Sequence, residues 1–145
     1  EGPYGTMTGE ARTGSKLLMI GAGAGVAPLV ALLQAEQYAP GQATLVTRDH
    51  STQAALRQDA IGTLIARRGL RHVPLPGPRA HTSSSWLPAS HAAWSGADAI
   101  RHLAPDLHEY DVFLCGPAAW MKALEHDLRA AGVHRGRIHC ESFTV

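Results

Sequence analysis

Four places in this sequence carry residues whose type and spacing suit chemistry. Gly21, Gly23 and Gly25 stand at alternate positions in GAGAGVAP, after the apolar run Leu17, Leu18, Met19, Ile20. A glycine loop lets the backbone turn sharply and approach a ligand where a Cβ would clash. A helix starting at its end would aim free N–H groups and a positive dipole at the loop, which suits a phosphate. Gly21, Gly23, Ala24, Gly25 and Val26 are therefore candidate cofactor-binding residues. The spacing is G-x-G-x-G-x-x-P rather than the dinucleotide fingerprint G-x-G-x-x-G, and no Lys-Ser or Lys-Thr follows, which excludes a Walker loop. A tight turn with glycines for packing alone is the competing reading. Arg48 and Asp49 follow the apolar stretch ATLVT. In dinucleotide folds an acid near this place takes the ribose 2′-hydroxyl and an arginine accommodates a 2′-phosphate. Arg48 favours NADP and Asp49 keeps NAD open, against a plain solvent-facing charged pair. Cys115-Gly116-Pro117 forms a second glycine corner; Cys115 lacks a neighbouring histidine to act as its base, so a small soft residue packed near a flat ring suits it better than a nucleophile. Phe143 can stack on an aromatic cofactor or serve as a core or lid residue.

These residues need a scaffold, and the sequence supplies one. Leu17 to Ile20 is a continuous apolar run, as expected of a strand covered on both faces. Val26, Leu29, Val30 and Leu33 share one helical face, with Pro28 tolerated in the first turn. Ala43 to Thr47 is the second strand. Ser51 or Thr52 can cap a second helix whose inward face is Leu56, Ala60, Leu64 and Ile65, ended by Gly69. Residues 70–75 form a third strand, stopped by Pro76-Gly77-Pro78. No regular period runs from Pro76 to Trp94, a length uncommon in a compact domain; packing suits both Trp86 and Trp94. Ser95 and Asp98 resemble a capping box for a helix to about Leu103. A fourth strand spans 111–115, a helix with apolar face Trp120, Met121, Leu124 and Leu128 ends at Gly132, and a fifth strand spans 137–141. Strands alternating with helices give an α/β fold: a doubly wound, five-stranded parallel sheet with helices on both faces. Ligands of such sheets sit beyond the carboxyl ends of the strands, near the topological switch point.

Composition narrows the function. The chain has 145 residues, enough for one domain with a sizeable core. Its formal net charge is +1 and its 13 Lys and Arg are scattered, so no nucleic-acid partner is expected. No apolar run is long enough to span a membrane. Two cysteines and nine dispersed histidines give neither a disulfide framework nor metal-ligand spacing, which points to a reducing, cytoplasmic compartment and no metal site. The opening EGPYGTMTGEARTGS, without an initiator Met, reads as a linker at residues 1–15 and as a sign of a longer polypeptide.

Taken together, GPYG at 2–5, GAGAGVAP at 21–28, TLVTR at 44–48, LCGPAAWMKAL at 114–124 and IHCESF at 138–143 resemble, in order, the NAD(P)-binding domain of the ferredoxin–NADP reductase superfamily. PDLHEYDVFLCGP and IHCESF look most like bacterial ferric-reductase-like proteins, relatives of membrane ferric reductases and NADPH oxidases. The resemblance implies an NAD(P)-binding domain over 16–145 and a preceding flavin-binding β-barrel, of which residues 1–15 hold a remnant. It also allows a heme-bearing membrane segment further upstream, which would put this domain at the cytoplasmic face of the membrane. Gly23 to Val26 would hold the pyrophosphate and Arg48 the 2′-phosphate of NADP. Cys115, Gly116 and Pro117 would lie against the nicotinamide, Trp120 would narrow that pocket, and Phe143 would stand near the flavin ring, with Thr144 and Val145 as an extension beyond it. The implied reaction is hydride transfer from NADPH or NADH to FAD, then single-electron transfer to iron, heme or an iron–sulfur centre.

Two other readings remain open on the residues alone. One is an S-adenosylmethionine-dependent methyltransferase, whose loop also favours alternating glycines and whose ribose hydroxyls Asp49 could take. The other is a non-catalytic dinucleotide-sensing module.

Overall fold

The computed structural model describes residues 14–49, 55–78, 86–91 and 93–143, the side chains at 55–57, 142 and 143 excepted. The GPYG stretch, the expected caps Ser51 and Thr52, Leu56, the phenyl ring of Phe143 and the terminal Thr144 and Val145 lie outside the described residues. Nine elements follow in order: β1 (Lys16–Ala22), α1 (Val26–Ala35), β2 (Ala43–Asp49), α2 (Ala55–Arg68), β3 (Arg71–Pro76), α3 (Gly96–Leu103), β4 (Tyr110–Pro117), α4 (Ala118–Ala130) and β5 (Ile138–Phe143). The five strands form one parallel sheet in the order β3-β2-β1-β4-β5. Strand order reverses between β1 and β4, so the switch point lies at the carboxyl ends of those two strands.

The continuous apolar run of β1 is explained by two cores, one on each side of the sheet. Leu17 and Met19 pack with Val26, Leu29 and Leu33 of α1, with Ile61 and Leu64 of α2, and with Phe113. Leu18 and Ile20 face the other way, into Trp86, Ile100 of α3, and Trp120 and Leu124 of α4. Alternate side chains of a strand point to opposite faces, so an all-apolar strand needs both faces covered. The inward faces of α1 and α4 contain the residues expected. That of α2 does in part: Leu64 is buried and Ala60 packs against the core, but Ile61 is buried where Ile65 is 44% exposed. Ile61 and Leu64 lie about 60° apart on one face, and Ile65 falls about 40° past Ile61 on the side away from Leu64, at the edge of that face. Gly69 and Gly132 end α2 and α4 with φ of +69° and +107°. Ser95 caps α3, its Oγ accepting from the Asp98 N–H at 3.1 Å.

Two tryptophans of the long connection part company. Trp86 is fully buried, whereas Trp94 is 46% exposed with its ring edge-on to His102, so packing into the core holds for the first only. At the amino end of the sheet, buried Asp111 accepts from the Gly14 backbone N–H with Oδ2 and sits 3.2 Å from His139 Nε2 with Oδ1. The His139 ring stacks on Phe113, and Lys16 pairs with Asp106 and Glu109. This cluster fixes the point where the chain enters β1.

Candidate functional site

At the switch point the two glycine corners touch. A Cβ placed on Gly25 would fall 2.1 Å from the carbonyl oxygen of Cys115 and 2.9 Å from the Gly116 nitrogen. The loop after β1 therefore lies directly on the Cys115–Gly116 peptide, an approach that only glycine permits. Gly23 has φ of +56° and open space beside it. Gly23 and Ala24 are exposed, while Gly21, Gly25 and Val26 are buried. The loop thus presents backbone at 23–24 and is held down on either side.

Two helices begin here. Gly25 is the N-cap of α1 and Pro117 that of α4; neither cap side chain bonds a helical N–H, and neither first turn contains an acid. N-termini without a side-chain cap and without an acid in the first turn leave two positive dipole ends at one crevice, a setting for an anionic group. Along the sheet, Thr47, Gly21, Cys115 and Glu141 lie in register across β2, β1, β4 and β5. At the usual strand spacing that row spans about 14 Å.

Cys115 is buried, and burial followed by the charge of Glu141 pushes its thiol up to about 11. A neutral thiol packs and donates weakly, so Cys115 is not poised as a nucleophile. Glu141, at the carboxyl end of the fifth strand where ligands of such sheets sit, has a buried Oε1 without a hydrogen-bond partner, beside Cys115. The cross-strand register adds that neighbour to what the strand-end position already marks. The strand backbone puts Phe143 opposite Pro117, at the end of β5.

Two of the candidate residues are buried at this end of the sheet. Arg48 is held by backbone carbonyls. It is 5% exposed, and it donates from Nε to Trp86 O (2.9 Å) and from Nη1 to Leu75 O (2.6 Å) and Gly77 O (3.0 Å). Those carbonyls belong to the end of β3 and the returning connection, which surround the side chain. Trp120 is the other. It is buried under the corner, its ring against Gly116 and its Nε1 donating to Trp86 O at 3.3 Å. Asp49, at the end of β2, keeps partial exposure, and its backbone carbonyl accepts from Gly77 N.

Among the described residues no group of His, Cys, Asp and Glu could hold a metal, and no helix is long and apolar enough to cross a membrane. A dinucleotide fits what is present: exposed loop backbone, two convergent helix starts and an unpartnered carboxylate oxygen near the second corner.

No protein-family model matches the chain. It is 26% identical over 127 residues to the ferredoxin reductase component of 3-ketosteroid-9-alpha-monooxygenase from Rhodococcus rhodochrous, covering 87% of this chain and 33% of that protein. It is 29% identical over 150 residues to the glycine betaine monooxygenase reductase subunit of Chromohalobacter salexigens, covering 98% of this chain and 39% of the relative. The ferredoxin reductase in carbazole 1,9a-dioxygenase, in its FAD apo form, superposes with a TM-score of 0.65 at 25% identity, over 92% of this chain and 36% of that one. The chain spans about a third of the length of the curated relatives it matches.

Proposed function

We propose that this chain, whose relatives and structural neighbours are ferredoxin reductase-type NAD(P)-binding domains, is the nicotinamide-dinucleotide-binding unit of a flavin-dependent oxidoreductase. The observation that carries the reading is the seating of Gly25 on the Cys115–Gly116 peptide, where two uncapped helix starts meet at the switch point. The Gly23–Ala24 backbone and the start of α1 would hold the pyrophosphate. Cys115, Gly116 and Pro117 would form the wall against the nicotinamide, where a neutral thiol and an absent Cβ permit a flat ring to lie close. When bound, a reduced nicotinamide supplies a hydride to FAD on a separate domain, as a flavin-binding β-barrel of the same polypeptide would provide. The protein's contribution is positioning and exclusion of water.

With Arg48 turned inward, partly exposed Asp49 supports NADH over NADPH, because a carboxylate at this strand end accepts from the ribose 2′-hydroxyl and repels a 2′-phosphate. The name of the ferredoxin reductase relative supports an iron–sulfur acceptor, and that of a flavohemoprotein from Xylella fastidiosa, 25% identical over 129 residues, a heme. Both cysteines are free, which suits the cytoplasm. Calorimetric titration with NADH, NADPH and S-adenosylmethionine tests the reading. NADH should bind at least about tenfold more tightly than NADPH, and S-adenosylmethionine not at all. Binding of S-adenosylmethionine in place of either dinucleotide would overturn it.

A further inference from the structure

We infer that Arg48 is a positioning residue that braces the connection after β3 and, through the carbonyl of Trp86, holds the Gly116 corner from below. One guanidinium reaches the last turn of β3 at Leu75 O, its exit at Gly77 O and the returning chain at Trp86 O. The Trp86 carbonyl is shared: it also accepts from Trp120 Nε1. Trp120 in turn fills the space under Gly116, where an added Cβ would meet Cε3 and Cζ3 of its ring at 2.8 Å. The end of β2 is thereby linked to the second glycine corner through two hydrogen bonds and one packed ring.

Arginine is the side chain this task requires. Its planar fork carries five donors in fixed directions and stays charged, so it can serve several carbonyls at once. A lysine ammonium at the same place would act from one point and could not span acceptors on both sides of the connection. Burying such a charge is tolerated only when its donors are satisfied, and charge-assisted bonds to carbonyls are stronger than neutral ones. The position in sequence suggests a phosphate reader; the contacts make a brace.

Resting on the dinucleotide reading above, the inference separates two roles for the same arginine. A 2′-phosphate reader discriminates NADPH from NADH. A brace acting through Trp86 and Trp120 changes the nicotinamide end of the site and treats both coenzymes alike. The experiment compares Arg48→Lys and Arg48→Met with the parent chain. Without ligand, amide exchange at Gly77, which donates to Asp49 O, and at Ala89, which donates to Pro78 O, should accelerate about tenfold or more in both variants, while β1 and β4 amides stay protected. NADH and NADPH should each weaken about fivefold or more with their affinity ratio kept, and ADP-ribose, which has no nicotinamide, should lose less than about twofold. Lysine should not rescue, because it keeps the charge and loses the fork.

A loss confined to NADPH, or rescued by lysine, would overturn the inference, as would equal losses for ADP-ribose and NADH or unchanged exchange at Gly77 and Ala89. If the parent binds neither dinucleotide, the functional reading fails and the exchange measurement still decides the brace. If both Arg48 variants lose their fold, Trp120→Phe decides. It removes the indole donor to Trp86 O together with part of the bulk packed under Gly116, so it should weaken both dinucleotides and spare ADP-ribose; an unaltered profile would overturn the link.

Discussion

Gly25→Ala tests the central contact. The added methyl would lie 2.1 Å from Cys115 O and 2.5 Å from Cys115 C, whereas ordinary contact begins at 3.4 Å. The obstacle is backbone in β4, hydrogen-bonded to β1 on one side and β5 on the other, so it cannot swing aside as a side chain would. The start of α1 must move off β4 by about 1 Å, and overpacking of this kind costs about 1–3 kcal/mol. Displacement of that size at a binding constellation is worth about a hundredfold, so NADH affinity should fall ten- to a hundredfold. Gly62→Ala is the control: it lies in α2 with nothing within 4 Å of the new methyl, and should be neutral or stabilising by up to about 1 kcal/mol. Urea unfolding and NADH calorimetry on the three proteins read both quantities. A Gly25→Ala protein as stable as the control, or binding NADH with the parent's affinity, would refute the argument that the two corners are in contact.

Two further outcomes follow from the described contacts. Burial and the Glu141 carboxylate raise the Cys115 thiol above its ordinary value of 9.0 to about 11, so the fold favours its neutral form; the associated stability is intact below pH 9 and lost as pH rises through 11. In a Cys140→Ser variant the thiolate absorbance at 240 nm should therefore appear near pH 11, and a step below pH 8 would contradict the neutral thiol. Asp111→Ala strips the Gly14 N–H and His139 of their partner and should destabilise the chain by about 2–4 kcal/mol in urea, with faster exchange at the Gly14 amide; a change under about 0.5 kcal/mol would deny the cluster its anchoring role.

Much of the scaffold was legible because its signals are local. The apolar run of β1, the glycines after it and the 26-29-30-33 face of α1 lie within one short stretch, and each gave the element that formed. Ser95 with Asp98, and the glycines beyond α2 and α4, were readable for the same reason. The contacts of Arg48 are not legible in the sequence because its partners lie 27 to 38 residues away. Ile65 and Trp94 are expected inward on hydrophobicity alone, whereas Ile61 and Trp86 are the residues that are buried. Glu141 gains Cys115 as a neighbour from the sheet register, which no linear spacing encodes.

The anchoring of Gly14 by Asp111 has a mechanical consequence. Gly14 is held at the amino ends of the strands, whereas the crevice opens at their carboxyl ends. The two are separated by the length of β1, seven residues, or about 23 Å. At that radius a tilt of about 5° about the Gly14 anchor displaces the crevice by about 2 Å. The buried pair Asp111–His139, a strand's length from the crevice, therefore sets how steadily the crevice is held relative to the point where the chain enters the sheet.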